Sequence, residues 1–477
     1  MSFIDRKREL TALGKFWKAK EAQLIVLYGR RRIGKTELIK EFIKNRPDIY
    51  FLSRLINEHE NLKLLGRSVG EYFGDGILQR RGFEDWEEFF HYIRDHIRES
   101  MIIAIDEFPY LIEANKGVPS LFQAGWDEYL KDSNLFLILC GSSMTMMEEK
   151  VLSHKTPLYG RRTGQILLRP LPFSKIKGFY PELSFDRRLE LYSIAGGNPG
   201  YLNKLDQDLS LADNIREHIL QPEAYLYNEV EFILREELRE PRNYMAILKA
   251  IALGKNRISE ICNETGMEKS SLHKYLYTLE DLYLIEKEVP VTEKNPLKSR
   301  KGIYRLRDQF FQFWFKYILP NKGEIEIGET GSVLKKIRMN FIHLVAQNYE
   351  YVSRERLRDF SRQVFIFDKI GQWWKKDEEI DIVALNEDDK KILFGEVKWS
   401  NKPVGTNIYD NLQRKSDQVE WQWGDRKEYY CLFSKSGFTD AMMRLAHQDN
   451  LFLFHKDVLI HPEKESKVSV NPVAPCS

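Results

Sequence analysis

The chain has 477 residues and is too long for one ordinary hydrophobic core, so at roughly 150 residues per domain we expect two to four domains. Its 43% hydrophobic and 30% charged residues are typical of a folded soluble protein, and no apolar run approaches the length of a membrane span. The net charge of +2 neither requires nor excludes nucleic acid, so any basic surface must be local.

The four cysteines, at positions 140, 262, 431 and 476, lie outside any metal-ligand spacing. Such a small number of separated cysteines fits a reducing compartment. The chain also begins without the pattern of a signal peptide. We therefore expect a cytoplasmic protein that has no contact with a membrane.

The segment from Gly29 to Thr36 reads Gly-Arg-Arg-Arg-Ile-Gly-Lys-Thr. It follows the apolar run 24–28, which predicts a buried parallel strand, and precedes a predicted amphipathic helix. Strand, glycine-rich turn and helix form the context of a phosphate loop, in which Lys35 reaches the β- and γ-phosphates and the Thr36 hydroxyl holds Mg²⁺. The predicted ATP-binding residues of this segment are Gly29, Arg30, Arg31, Arg32, Ile33, Gly34, Lys35, Thr36 and Glu37.

A second apolar run, 101–105, predicts another buried strand, and Asp106 and Glu107 follow it directly. Downstream of a phosphate loop, a strand that ends in two carboxylates indicates the second half of an ATPase site. Asp106 is then expected to hold Mg²⁺, and Glu107 to orient or deprotonate the attacking water. The alternative is a solvated strand end with ordinary charges.

A third apolar strand is predicted at 134–140, and Ser142 and Ser143 follow it. Either hydroxyl would lie beside the γ-phosphate and report its presence, or would instead cap a helix. Arg161 or Arg162 would neutralise charge in the transition state, or would be a solvated loop arginine. The glycine-rich segment near 197 predicts a turn between helices.

These segments together resemble the archaeal-type ATPase family, which belongs to the STAND branch of the AAA+ class. The resemblance implies a parallel sheet between helices with a helical lid after it, within residues 1–235. It also implies that Phe3, Arg6 and Pro199 border the adenine. The motifs that carry the resemblance are, in chain order, FIDR, GRRRIGKT, IAIDE, LILCGSS, LYGRR and GGNPG.

Residues 236–320 are predicted to form a winged helix-turn-helix domain. Ser270 or Ser271 is expected to cap its third helix, which carries three leucines on one face. The aromatic segment 308–319 predicts a buried helix rather than a base-stacking surface, because its rings fall all round the helix. The predicted elements are helices at 244–253 and 258–265, a turn at Gly266, the third helix, and strands at 284–289 and 302–306.

DNA binding by this domain would place the third helix in the major groove and the wing against phosphates. The third helix is not strongly basic, so the alternative is a module that packs against other domains or binds protein. The residues expected to face DNA are Lys269, His273 and Lys274 on the helix and Lys298, Arg300 and Lys301 on the wing.

Residues 325–465 predict an α/β domain with a helix at 339–351 and strands that include 364–367. Asp381 lies in an alternating strand, and Glu396 and Lys398 share one face of the next strand. A hairpin between the two strands would bring Asp381 beside Glu396, where both would bind Mg²⁺ and Lys398 would position a nucleophile. The alternative is a half-exposed hairpin with ordinary surface charges.

This arrangement resembles the PD-(D/E)xK superfamily of restriction-endonuclease-like domains. The resemblance implies metal-dependent DNA cleavage and adds Glu350 as an extra acidic residue, although Ile380 replaces the proline of the motif. Nuclease-like domains also keep this fold without turnover. Four basic residues would hold DNA phosphates or keep the surface soluble: Lys402, Arg414, Lys415 and Lys435.

The fold class expected from the sequence is therefore a multidomain α/β protein, and residues 466–477 predict a loose tail. We expect an ATPase that uses ATP and Mg²⁺ and binds DNA. Asp381, Glu396 and Lys398 would be the catalytic residues for cleavage of that DNA. The alternative is a STAND-type signalling switch whose nuclease-like domain is non-catalytic and binds DNA or protein. Binding of a protein partner, or of a second copy of this chain, is a further possibility that the sequence leaves open.

Overall fold

The computed structural model describes residues 3–446 and 450–460, so the predicted tail at 466–477 lies outside the described residues. The chain divides into two compact units. The first runs up to Glu182 and resumes at Ala195–Ala246; the second contains Leu183–Ile194 and the chain from Ile247 onwards. The predicted three-domain boundaries at 235 and 320 stay a prediction.

A five-stranded sheet forms the centre of the first unit, and each neighbouring pair of strands is parallel. Its spatial order is β2-β3-β4-β1-β5. β1, β3 and β4 are buried at every residue, which explains why they are uninterrupted apolar runs in the sequence. The strands are β1 (Gln23–Tyr28), β2 (Asp48–Leu52), β3 (Met101–Asp106), β4 (Leu135–Gly141) and β5 (Gly164–Leu167).

Helices cover this sheet, and α1 and α2 bury apolar side chains against β1, β3 and β4 in one core cluster. Helices also follow β5, and their role as a lid stays a prediction. The helices of the first unit in chain order are α1 (Lys7–Lys18), α2 (Lys35–Ile43), α3 (Glu58–Phe73), α4 (Gly76–Arg81), α5 (Trp86–His96), α6 (Phe108–Ala114), α7 (Val118–Gly125), α8 (Met144–Met147), α10 (Pro199–Leu202), α11 (Leu211–His218) and α12 (Glu229–Glu237). Between α8 and α10 the chain also forms α9 (Phe185–Ala195), which belongs to the second unit except for its last residue.

The helix-turn-helix begins with α13 (Pro241–Ala252), through which the chain passes from the first unit into the second. Gly266 has φ +70°, which favours glycine, and the leucines of the third helix are buried as predicted. The predicted serine cap is wrong, because this helix already begins at Lys269 and Glu268 occupies the capping position. The remaining elements are α14 (Ile258–Thr265), α15 (Lys269–Asp281), β6 (Ile285–Glu288) and β7 (Ile303–Leu306).

A six-stranded mixed sheet of order β13-β12-β11-β10-β9-β8 forms the rest of the second unit. β8, β9 and β10 are antiparallel neighbours, whereas β10, β11 and β12 are parallel. The strands are β8 (Lys369–Lys375), β9 (Glu378–Asn386), β10 (Lys391–Lys398), β11 (Lys427–Ser434), β12 (Leu451–His455) and β13 (Val458–Ile460). The helices are α16 (Gln309–Phe313), α17 (Lys322–Glu326), α18 (Thr330–Asp359), α19 (Ser361–Val364), α20 (Thr406–Ser416) and α21 (Asp440–Ala446).

The strand predicted at 364–367 is wrong, because α19 ends at Val364 and the first strand of this sheet is β8. Phe365 in this segment packs instead of pairing: it is buried, and its ring lies 5.2 Å from that of Tyr429, whereas Ile366 is exposed. The aromatic segment 308–319 is buried, as predicted. Among the described residues, no helix combines the length and apolar character that crossing a membrane requires.

Candidate functional site

The glycine-rich loop between β1 and α2 has a backbone that depends on its two glycines. Gly34 has φ +92° and directly precedes the first turn of α2. A Cβ on Gly29 would lie 2.5 Å from the Leu168 carbonyl oxygen, so no larger residue fits there. Backbone N–H groups of such a loop, together with a helix N-terminus, provide a cradle for phosphate oxygens.

Lys35 is buried inside this loop, where its Nζ donates to the carbonyl oxygens of Gly29 at 2.9 Å and Arg30 at 3.0 Å. Burial lowers the pKa of Lys35. Arg6 is also buried, and its guanidinium donates to the carbonyls of Ile33 at 2.9 Å and Arg169 at 2.8 Å. The loop therefore encloses the Lys35 ammonium, and the Arg6 guanidinium stabilises its backbone through the Ile33 carbonyl.

Asp106 is oriented by three hydrogen bonds at the carboxyl end of β3. Its Oδ2 accepts from the Thr36 hydroxyl at 2.7 Å and from the Tyr50 hydroxyl at 2.8 Å, and its Oδ1 accepts from the Glu107 N–H at 3.0 Å. A hydroxyl and a carboxylate side by side are the hard oxygen ligands that Mg²⁺ requires, so these residues fit the ion. Sequence reasoning missed Tyr50, which lies on the neighbouring strand β2.

Glu107 has φ +52°, and this left-handed backbone turns its side chain towards the end of β4. Its Oε2 accepts hydrogen bonds from the Ser142 hydroxyl at 2.7 Å and the Ser142 N–H at 3.3 Å. The Ser143 hydroxyl instead accepts from the Met146 N–H at 3.3 Å and caps α8. The two serines that sequence reasoning left open therefore have different positions, and Ser142 is the one beside Glu107.

The turn that contains Pro199 lies directly on the phosphate loop. The Gly200 N–H donates to the Arg32 carbonyl at 3.1 Å, and a Cβ on Gly200 would lie 2.6 Å from the Arg32 Cβ. The Pro199 ring would be 3.9 Å from a Cβ placed on Gly34. Glycine at position 200 is thus a requirement of this close approach. Pro199 lies beside Gly34 of the phosphate loop, and its contact with the adenine stays a prediction.

Two loop arginines are paired with carboxylates of α12, which sequence reasoning did not identify. Arg31 Nε lies 2.9 Å from Glu236, and Arg32 pairs with the buried Glu229. The next residue, Glu237, accepts from the backbone N–H groups of Met144 at 3.0 Å and Thr145 at 3.1 Å. One helix therefore contacts both the phosphate loop and the segment that follows Ser142.

The predicted arginines after β4 are engaged with other protein groups. Arg161 forms an ion pair with Asp127 at 2.9 Å, and Arg162 donates to the Leu152 carbonyl at 2.8 Å. A role for either arginine at the nucleotide therefore requires that these bonds break.

In the second unit, the hairpin of β9 and β10 brings Asp381 opposite Glu396. The register pairs Gly395 with Ile382, so the next pair along the ladder is Glu396 with Asp381, and both side chains are buried. Asp381 Oδ2 accepts from the Val397 N–H at 2.8 Å. Burial, and then the nearby charges of Glu350 and Glu396, raise the pKa of Asp381. A bound cation would stabilise the ionised form of this carboxylate and lower the pKa again.

Two lysines hold Glu396. Lys398 Nζ lies 2.7 Å from Oε1, and Lys415 Nζ on α20 lies 3.2 Å from each carboxylate oxygen. Although burial by itself lowers the pKa of Lys398, the charge of Glu396 raises it overall. Within the part of the chain that the structure describes, no three His, Cys, Asp or Glu side chains are arranged to hold a metal ion. A metal at Glu396 therefore requires a lysine to move.

Glu350 on α18 lies close enough to Asp381 for its charge to raise the pKa of that carboxyl, and its role in a nuclease site stays a prediction. Burial raises the pKa of Glu350 to about 7. Gln372 on β8 donates to Glu350 at 3.4 Å and accepts from Arg305 on β7 at 2.9 Å. The other predicted phosphate contacts differ: Arg414 pairs with Glu378 at 2.8 Å, Lys435 donates to Asn401 at 2.8 Å, and Lys402 is exposed.

Over most of its length, the sequence of this chain is similar to that of an uncharacterized protein of Methanocaldococcus jannaschii, which is 40% identical over 438 residues. The match covers 91% of this chain and 95% of that protein. Residues 3–205 match a family described as an ATPase domain predominantly from Archaea. This chain belongs to that archaeal ATPase family.

The structure of this chain is similar to a solved structure of a Walker-type ATPase of Pyrococcus abyssi. The TM-score is 0.53 at 24% identity, and the match covers 66% of this chain and 96% of that one, which shows the shared fold. Residues 243–288 match an IclR helix-turn-helix domain, which confirms that element. Residues 314–415 match a family described as Archaea bacterial proteins of unknown function, so the nuclease resemblance stays a prediction.

Proposed function

We propose that this protein is a cytoplasmic ATPase in which hydrolysis of ATP controls the binding of DNA by the winged helix. The observation that carries the proposal is the polar network at the carboxyl ends of β1, β3 and β4. There Thr36 contacts Asp106, and Ser142 contacts Glu107. A phosphate loop beside an oriented carboxylate pair is the arrangement that phosphoryl transfer to water uses.

In this proposal each residue has a separate task. Lys35 and the loop N–H groups bind the phosphates, and Thr36 and Asp106 hold Mg²⁺, which when bound neutralises charge on the phosphate oxygens. Glu107 orients the attacking water and accepts its proton, while Ser142 fixes the carboxylate of Glu107. These roles use only groups that lie at the same edge of one sheet.

DNA is the proposed second ligand because of the helix-turn-helix match and the surface of α15. Lys269, His273 and Lys274 are all exposed on that helix, as entry into the major groove requires. The chain supplies a route for nucleotide-dependent control. The helix α12 contacts Arg31 and Arg32 of the loop and the segment after Ser142. Only three residues separate the end of α12 from α13, the first helix of the winged domain.

The affinity for DNA is expected to differ between the ATP-analogue and ADP complexes by about 5- to 150-fold, the usual range of allosteric coupling. Fluorescence anisotropy with labelled duplex DNA measures this difference in each nucleotide state. Glu237→Gln should reduce the difference without loss of ATP binding, because it weakens the contact with α8. Equal affinity in both states of the unmodified protein would overturn the coupling, and no affinity in either state would overturn the DNA ligand.

Metal-dependent DNA cleavage is a second candidate, and the pairing of Asp381 with Glu396 beside Lys398 favours it. Two buried carboxylates on neighbouring strands would hold a divalent ion, which supplies an activated water and stabilises a charged transition state. The two lysines on Glu396 favour the alternative, a non-catalytic domain, because they neutralise one carboxylate without a metal.

Asp381→Asn distinguishes these alternatives. If the domain cleaves, nicking of supercoiled plasmid in Mg²⁺ or Mn²⁺ should fall below detection in this variant. Because burial raises the pKa of Asp381, removal of its charge is expected to preserve stability, and an unchanged Tm of the variant checks that a loss of nicking does not reflect unfolding. Glu387→Gln, at an exposed carboxylate of the same hairpin, is the matched control. Absence of nicking by the unmodified protein supports the non-catalytic domain.

A further inference from the structure

A cavity of about 310 Å³ lies in the second unit between the start of α14, the wing and the turn that joins β8 to β9. It is separate from the Asp381–Glu396 pair and from the exposed face of α15. Its charged and aromatic lining comes from Arg257, Lys301, Trp374, Lys375, Lys376 and Glu420.

The lining carries four positive charges and one negative charge. Lys375 pairs with Glu420 at 2.7 Å, and Lys301 pairs with Glu293 at 3.1 Å. Among the described residues, Arg257 and Lys376 form no ion pair, and both are exposed. The cavity therefore has an excess of positive charge that the protein itself does not neutralise.

Trp374 adds an independent observation. The residue lines the cavity, its Nε1–H is buried, and no described group of the protein accepts a hydrogen bond from this N–H. Buried N–H groups in folded proteins are almost always hydrogen-bonded. An acceptor supplied by a ligand would satisfy this donor, and the surrounding cations would favour an anionic one.

We propose that this cavity binds a backbone phosphate of DNA. Phosphate oxygens provide both the acceptor that Trp374 lacks and the charge that the four cations favour. The cations come from three separate elements, and Lys301 and Lys375 are 66% and 51% exposed, which suits a polyanion that runs across the surface better than an enclosed small ion. The inference rests on the proposed DNA binding and adds a contact outside α15.

The position of the cavity gives this contact a role. Arg257 directly precedes the second helix of the helix-turn-helix, Lys301 lies on the wing, and Trp374 lies on β8. β8 pairs with β9, the strand that carries Asp381. A duplex held by the winged helix would thus be fixed to the six-stranded sheet as well, which defines its direction relative to Asp381.

The double variant Arg257→Gln, Lys301→Gln tests the proposal in the full-length protein. Its affinity for duplex DNA, measured by anisotropy from 50 to 300 mM KCl, should be lower, and the slope of log affinity against log salt should fall by about one, because one phosphate contact is lost. The matched control is the double variant Lys335→Gln, Lys369→Gln. It removes two exposed lysines outside the cavity, and Lys369 lies on β8, the strand that carries Trp374. The control should keep the slope of the unmodified protein.

The Trp374 donor is followed separately by ¹⁹F NMR of protein labelled with 5-fluorotryptophan, in which Trp374→Phe identifies the resonance. Addition of DNA should shift this resonance, and 10 mM inorganic phosphate should not prevent the shift. If the unmodified protein binds DNA but the double variant keeps its slope or the resonance does not move, the cavity is not a DNA contact. A shift with phosphate alone would also overturn the proposal. If the unmodified protein binds no DNA at all, the proposed function fails first.

Discussion

Lys35→Met is expected to abolish ATP turnover and to leave the fold intact. Lys35 is the cation inside the phosphate loop, and its Nζ donates to the Gly29 and Arg30 carbonyls. In the variant these carbonyl oxygens remain, but they supply no positive charge to neutralise a bound triphosphate. Because burial lowers the pKa of Lys35, the folded protein already disfavours this charge, and a methionine of similar length should be tolerated. Phosphate release assays measure the turnover.

Thermal unfolding with and without ATP separates lost binding from lost folding. A ligand present at 100 times its Kd stabilises a protein by about 2.7 kcal/mol, so the unmodified protein should show a clear rise in Tm. Lys35→Met should show no rise, with an unchanged Tm in the absence of ATP. Lys40→Met, at an exposed lysine of the same helix, should behave like the unmodified protein. A normal rise in Tm for Lys35→Met would place the nucleotide elsewhere.

The main groups of the ATPase site could be predicted because they follow apolar strands. In a parallel sheet, the carboxyl ends of all strands meet at one edge, so residues that follow β1, β3 and β4 must lie near each other. Thr36, Asp106 and Ser142 are separated in the sequence, yet they occupy this one edge. The position of Asp381 opposite Glu396 could be predicted for a different reason, because a short hairpin fixes the register of its two antiparallel strands.

The groups that the sequence did not reveal are placed by strand order or by long-range packing. Tyr50 reaches Asp106 only because β2 lies beside β3. Glu229 and Glu236 meet the loop arginines across about 200 residues of chain, and no local pattern encodes that approach. Lys415 looked like a surface lysine, and it turned out to be bonded to Glu396 because α20 packs against β10.

The error at 364–367 has a related cause. Four apolar residues in a row satisfy the pattern of a buried strand, but the pattern does not distinguish pairing from packing. Phe365 uses its ring against Tyr429, and the hydrogen-bonded ladder begins only at Lys369. β8 is less regular in sequence because it is half exposed and contains a bulge beside Trp373.

Glu107→Gln should keep ATP binding and lower the turnover number by about 10²- to 10⁴-fold, the usual contribution of a general base. Glutamine retains the size of the side chain and accepts the Ser142 hydrogen bonds, but it cannot take a proton from water. Isothermal titration with ATP should therefore give a normal affinity, and single-turnover hydrolysis should give the loss of rate. Unchanged hydrolysis would mean that another group activates the water.

Ser142→Ala and Ser143→Ala then test whether Glu107 needs its hydrogen bond. Loss of the Ser142 hydroxyl removes a bond to a charged group worth about 1.5 kcal/mol, so turnover should fall about tenfold with no change in ATP affinity. Loss of the Ser143 hydroxyl removes the cap of α8, which should cost about 1 kcal/mol of stability and leave turnover unchanged. The two neighbours thus have opposite expected effects, since only Ser142 contacts Glu107. If Ser142→Ala is as active as the unmodified protein, the position of Glu107 is fixed by its left-handed backbone alone.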